Sequence, residues 1–404
     1  MISVDEAREK IFQDLIPVGT EVVPINAALG RVIVEDIHPR RTQPPTDMSA
    51  MDGFAVRAVD VKTVPVTLKI VGEVAAGGCF TGVIKTGEAV RIFTGAPLPA
   101  GADTIIIQED TEFDAGQVTV KEEAAKGTYV RPAGLDFKEG QIGLVAPRRL
   151  TARDIGLLAA MNIPWVTVRR KPVIALLSTG DELVRPGEPV GESQIISSNS
   201  LLIGAMIEAA GATALDLGIA RDTEADIREK ARSARSADML VTLGGASVGD
   251  HDLIQPALAS DGLNVDFWRI AMRPGKPLMF GQLKGQPLLG LPGNPVSGMV
   301  CSLLFLLPAL DALVGLPPQR PPQLPARLAH DLKANDQRED YMRAEIIGME
   351  NGIPVVRLFD RQDSSMLSVL AAADCLVMRE PLASALPKGS EIMMIPLRDT
   401  FRTL

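Results

Sequence analysis

The sequence predicts a multidomain protein of α/β plus β class, with a doubly wound α/β domain carrying its chemistry. Three observations lead there. The chain has 404 residues, more than a single hydrophobic core organises well. From Lys171 to about Leu313, short apolar runs alternate with stretches of helical period, the texture of a parallel sheet covered on both faces. On either side, the chain turns to short β-rich runs punctuated by Gly and Pro, as small β modules do.

Residues 3–16 begin on Ser3, carry early acids and place apolar residues at helical spacing, so they form an amphipathic helix. Between Pro24 and Pro147, runs such as VTLKIVGEV (66–74), EAVRIFTG (88–95), DTIIIQED (103–110) and QVTVKE (117–122) give a β module. TARDIGLLAAM (151–161) is a helix capped by Thr151 and is expected to pack back on the first helix. VIALLS (173–178) then opens the α/β series. It continues through helix 201–211, strand 212–220, a helix near 224–236 and strand 238–245. A helix near 251–260 and strands at 266–271, 277–283 and 287–293 follow. All of these strands are expected to run parallel. A long helix from Pro295 closes the series. Residues 317–325 hold five prolines, a semi-rigid connector, and short β runs complete the chain.

Composition excludes several functions. The formal charge is −9, from 50 acids and 41 bases, and aromatics are 4%. Nothing there suits wholesale phosphate neutralisation or base stacking, so no nucleic-acid partner is expected. Cys79, Cys301 and Cys375 stand far apart and read as buried hydrophobes in a reducing compartment. With only His38, His251 and His330, a His-based zinc site or triad has little to work with. The first ten residues lack an apolar signal core. The uncharged stretch Pro295–Leu310 is shorter than the roughly 20 residues a span needs, contains Pro308 and reads as a core helix. No membrane association and a cytoplasmic location follow as expectations.

In a doubly wound sheet, ligands bind outside the carboxyl ends of the strands. Three Gly-bearing loops leave strands there: Ser178 to Leu183, Gly244 to Asp252 and Leu291 to Ser297. In the third, Asn294 suits an N-cap and Pro295 the first helical position, leaving amides for a phosphate. Gly244, Gly245 and Ser247 form a second donor-rich turn, and no GxxxxGKS/T motif supports a P-loop. Glu182, Asp222, Asp250 and Asp252 all follow strands, so their carboxylates are expected to meet at one rim and hold a hard divalent cation such as Mg²⁺. Arg269, Arg273 and Lys276 fall within eight residues beside a Gly-Pro turn and suit an oxyanion or phosphate. In the β module, Asp52 sits in a shaped loop, Pro44 to Val56.

SAMDGFAV (49–56), RIFTGAPLP (91–99), RPAGLD (131–136), LLSTGDELV (176–184), TLGGASVGDHD (242–252), RPGKP (273–277) and GLPGNPVS (290–297) occur in this order. In that set the whole chain resembles the molybdopterin molybdenumtransferases, the MoeA family, to which the gephyrin E domain also belongs. The resemblance implies an elongated homodimer of four-domain chains. The domains are a helical linker (1–43 and 139–170), an inserted β-domain (44–138), a molybdopterin-binding α/β domain (171–316) and a β-barrel-like tail (317–404). It implies that molybdate and adenylylated molybdopterin enter, metal is inserted at the dithiolene and AMP leaves. A molybdopterin-adenylylating enzyme and molybdoenzyme maturation factors are the protein partners it implies. Family site positions fall on Asp52, Thr94, Glu182, Asp222, Asp252, Pro292, Pro295, Arg343 and Ser364. Arg269 and Arg273 stand where the family has lysines, and Lys276 matches. A related adenylyltransferase would need little beyond the α/β domain, yet residues 1–170 precede it and 317–404 follow. A scaffold would want a long partner-binding linker, which the sequence lacks.

Overall fold

The computed structural model describes residues 1–245 and 253–397. Its centre is a six-stranded sheet in the order Thr213–Ala220, Val173–Thr179, Met239–Leu243, Gln286–Leu291, Met279–Leu283, Leu263–Phe267. The first four strands are parallel. Along Val173–Thr179, Ile174 and Leu176 enter one core while Ala175 and Leu177 enter the other, the two-residue alternation of a strand buried on both faces. Helices Asn199–Ala209 and Pro295–Leu313 cover the first face, and Glu224–Ser233 with Ile254–Ala259 the second.

The last two pairings depart from the all-parallel expectation, because Met279–Leu283 runs against the other strands. Met279–Leu283 and Gln286–Leu291 form an antiparallel hairpin, and Leu263–Phe267 is also antiparallel to its neighbour. Lys284 and Gly285 make the turn with φ of 53° and 84°, the left-handed pair a two-residue hairpin requires. A lysine in that position hides the signal, because Asn or Gly is the usual marker.

Pro295–Leu313 is 19 residues long and 78% of its apolar window is buried, so it is a core helix. Pro308 has no N–H to offer the carbonyl four residues back, and the preceding turn, Ser302–Leu306, is π-helical. Arg8 fills the gap: its Nη1 donates to the Leu304 carbonyl at 2.6 Å, and the residue is only 7% exposed. Val4, Ala7 and Ile11 of helix Val4–Phe12 therefore belong to the α/β core. The expected packing of helix Ala152–Ala160 on this first helix is not found; Leu158 instead joins Val23, Ile33 and Val168. That linker region is also less helical than expected. Strands Thr20–Pro24, Trp165–Arg169, Val32–Ile33 and Arg148–Arg149 build an antiparallel sheet from segments over a hundred residues apart.

The inserted module is a six-stranded sheet with apolar residues on both faces. The tail closes on itself: Glu339–Glu350 pairs with both Ile353–Leu358 and Cys375–Arg379, and Leu324–Leu328 with Glu391–Pro396 completes the ring. A short strand from the α/β segment, Met272–Arg273, adds to this barrel beside Glu339–Asp340. The predicted strand 266–271 thus ends at Phe267, and the chain crosses to the barrel.

Candidate functional site

A cavity of about 750 Å³ opens at the carboxyl ends of the parallel strands. Thr179, Gly244, Gly245 and the Pro292–Pro295 turn line it from the α/β domain, and Arg338 with Gln362 to Ser364 from the barrel. All three Gly-bearing loops contribute. Gly244 has φ +94°, and a Cβ there would lie 3.1 Å from the Thr179 carbonyl oxygen; no larger residue lets these loops come so close.

Asn294 is the N-cap residue before Pro295, but its side chain turns to the barrel and donates to Ser364 Oγ at 2.7 Å. The Val296 amide donates to the Ser364 carbonyl at 3.1 Å. The helix start thus anchors the tail loop as well as facing the cavity. Asn199, another lining residue, donates to the Gly293 carbonyl at 2.6 Å. Its Oδ1 is buried without a hydrogen-bond partner among the described residues, an acceptor held ready for a ligand donor or cation.

The three cations separate. Lys276 lines the cavity, exposed, with no ion-pair partner among the described residues. Arg273 also lines it, but its fork grips Asp340 through Nε at 3.1 Å and through Nη2 more closely. Further contacts reach Asp336 at 3.3 Å and Asn335 at 3.3 Å. Arg338 holds Asp336 at 2.6 Å, keeping that carboxyl well below its usual range, at about 2. Arg269 is not among the lining residues; its guanidinium stacks over Trp268 at 5.6 Å. Arg343 is 1% exposed and works from behind, bonding the Gln362 side chain at 3.3 Å and the Met366 carbonyl at 3.4 Å. It braces the loop bearing Ser364 and does not line the cavity.

The expected carboxylate cluster is not assembled among the described residues. Glu182 lines the cavity. Asp222 turns aside: its Oδ2 accepts from the Asp181 amide at 3.3 Å, and its own amide donates to Asp181 Oδ1 at 3.1 Å, tying two loops together. Ser247, Asp250, His251 and Asp252 lie outside the described residues. Mg²⁺ keeps several waters and takes one or two carboxylates with substrate phosphate, so the hard oxygens of Glu182 and Asn199 fit an ion of that kind.

In the inserted module, Asp52 precedes strand Gly53–Val56. Its Oδ1 accepts from the Thr94 amide at 2.7 Å and hydroxyl at 2.8 Å. These bonds, with the Arg91 charge, lower the proton affinity of Asp52. Neither Asp52 nor Thr94 lines the cavity of this chain. Asn199, Arg338, Gln362 and Asp363 line the cavity without having been singled out in the sequence. Asn199 alone carried a local sign, a polar run before an apolar helix.

Fold and cavity define a class: an α/β ligand-binding domain framed by three β-bearing units. Comparison with known proteins makes it particular. The MoeA N-terminal region (domain I and II) matches residues 2–162, a probable molybdopterin binding domain 175–312, and the MoeA C-terminal region (domain IV) 325–397. The molybdopterin molybdenumtransferase of Haemophilus influenzae is 34% identical over 400 residues, 98% of each chain. That of Nostoc sp. is 33% identical over 387 residues, 94% of this chain and 89% of that one. The crystal structure of the molybdopterin biosynthesis MoeA protein from Pyrococcus horikosii matches with a TM-score of 0.83 and 32% identity, covering 98% of this chain and 99% of that one. The chain belongs to the MoeA family.

Proposed function

We propose that this protein performs the reaction for which its relatives are named, transferring molybdenum to molybdopterin in molybdenum cofactor biosynthesis. Its substrates are molybdate and adenylylated molybdopterin, and AMP leaves when the pyrophosphate bond is hydrolysed. The observation that carries this reading is the cavity. It joins backbone-rich glycine turns, the hydroxyls of Ser297 and Ser364, and, in the segment matched as a probable molybdopterin binding domain, a lysine with no ion-pair partner among the described residues.

In this reading, the Gly244–Gly245 turn lets the phosphates approach the backbone closely. Lys276 and the two hydroxyls hold the molybdate oxyanion. Glu182 would hold Mg²⁺, which when bound neutralises pyrophosphate charge, with Asp252 expected beside it. Asp52, kept ionised by Thr94, offers its second oxygen to orient the attacking water. Since Asp52 does not reach the cavity of its own chain, the reading includes a cytoplasmic homodimer whose clefts are completed by the partner subunit. An adenylylating enzyme supplies the substrate.

The test is incubation of purified protein with adenylylated molybdopterin, Mg²⁺ and molybdate. AMP release and metal-loaded cofactor in equal amounts are expected; substrate recovered intact would refute the reading.

A further inference from the structure

Arg91 lies in strand Glu88–Ile92, three residues before Thr94. Its guanidinium sits over three rings: Phe54 at 4.8 Å, Phe113 at 4.9 Å and Phe93 at 5.3 Å. Nη2 donates to Gln108 Oε1 at 2.7 Å, and the Gln108 amide in turn donates to the Asp52 carbonyl at 3.1 Å. Arg91 therefore touches two of the parts that frame Asp52: Phe54, two residues after it, and Gln108, bonded to its backbone. Its strand ends two residues before Thr94, which bonds the carboxylate.

Packing alone does not call for a guanidinium here. Nη1 is buried without a hydrogen-bond acceptor among the described residues, an unmet donor that costs stability. Methionine would fill the aromatic slot without that cost. What the guanidinium adds is its hydrogen bond to Gln108 and, after the Thr94 bonds, a smaller contribution of its charge at Asp52. Glu109 and Asp110 occupy the neighbouring turn, and Glu112 is paired with Lys121 at 2.7 Å.

We propose that Arg91 is a positioning residue for the reaction, fixing the loop that presents the Asp52 carboxylate. The proposal rests on the reading that Asp52 acts in catalysis. Steady-state kinetics of the full-length protein, followed by AMP release across pH, tests both. Arg91→Met should lower kcat about tenfold at unchanged KM, since small misplacements of a reacting group cost this much or more. Its acid limb should move to higher pH, because Asp52 protonates more readily without the cation. Arg91→Lys should restore the limb but not the full kcat. Gln108→Leu, which leaves the aromatic stack intact, should lower kcat alone, and it decides the matter if Arg91→Met does not fold. An unshifted acid limb in folded Arg91→Met, or wild-type kcat in Gln108→Leu, overturns the proposal while Asp52→Asn remains inactive. Wild-type activity in Asp52→Asn instead removes the reading of Asp52 on which it rests.

Discussion

In the α/β cavity, charges are crowded and largely answer one another: Arg273 grips Asp340 and Asp336, and Arg338 grips Asp336 again. At the Asp52 corner a single exposed carboxylate stands with both donors on one oxygen. The cavity suits a ligand, because its backbone is pinned while Lys276 and Asn199 Oδ1 have no partner among the described residues. The corner is built to present one group, and it needs something beyond its own chain's cavity to act upon. In the proposed reading, binding and chemistry are thus carried by parts over a hundred residues apart.

Four experiments would break or sharpen that contrast, and the largest effect should come from the corner's backbone. A Cβ on Gly53 would lie 1.9 Å from the Ile106 carbonyl oxygen. Gly53→Ala must force two paired strands apart, so we expect a loss of about 3 kcal/mol or more in denaturant unfolding. An unchanged midpoint would show that the corner is looser than its packing.

Next comes the division of labour itself. Asp52→Ala and Glu182→Ala homodimers should each be nearly inactive. After subunit exchange about half the dimers are mixed, each with one cleft free of both changes, so activity should recover to about a quarter. No recovery in verified heterodimers would place both residues in one chain's cleft.

The cations give a smaller, sharper contrast. Lys276→Ala should raise the molybdate concentration for half-maximal rate roughly ten- to hundredfold, the cost of a charge-assisted contact. Arg273→Ala should act mainly on thermal stability, since its partners are the barrel acids. Equal molybdate responses in the two variants would erase the distinction.

The smallest effect concerns acid. Asp336 is lowered in the folded protein from the usual 3.8 to about 2 by Arg338. A depressed carboxyl contributes stability above its unfolded value, and that contribution is lost as pH falls from about 4 to about 2. Asp336→Asn should flatten stability across that window; an unaltered acid transition would show that the pair is fully screened.

Much of the cavity was legible because its parts are local. A strand followed by Gly and a helix start can be read from Leu291 to Ser297 alone, and all three loops reached the cavity. What escaped depends on distant partners. The linker sheet pairs Thr20–Pro24 with Trp165–Arg169, and no local pattern links such segments. The first helix was recognised, but its seat on Leu304 depends on a proline three hundred residues later. Arg343 stood only at a family site position and Arg269 in a basic run, and tertiary packing turned the first inward and laid the second on Trp268. Asp222 followed a strand as expected, yet bonded the neighbouring loop through Asp181.

The strand Met272–Arg273 belongs to the α/β domain by sequence and to the barrel by pairing. The proline-rich connector therefore looks like a natural place to cut, but it is not the only seam. Severed there, the α/β piece would keep an unpaired strand edge and an arginine stripped of its acids, and the barrel would lose an outer strand. Such domains are poor candidates for transplantation as independent modules, because the wall between them is woven from both.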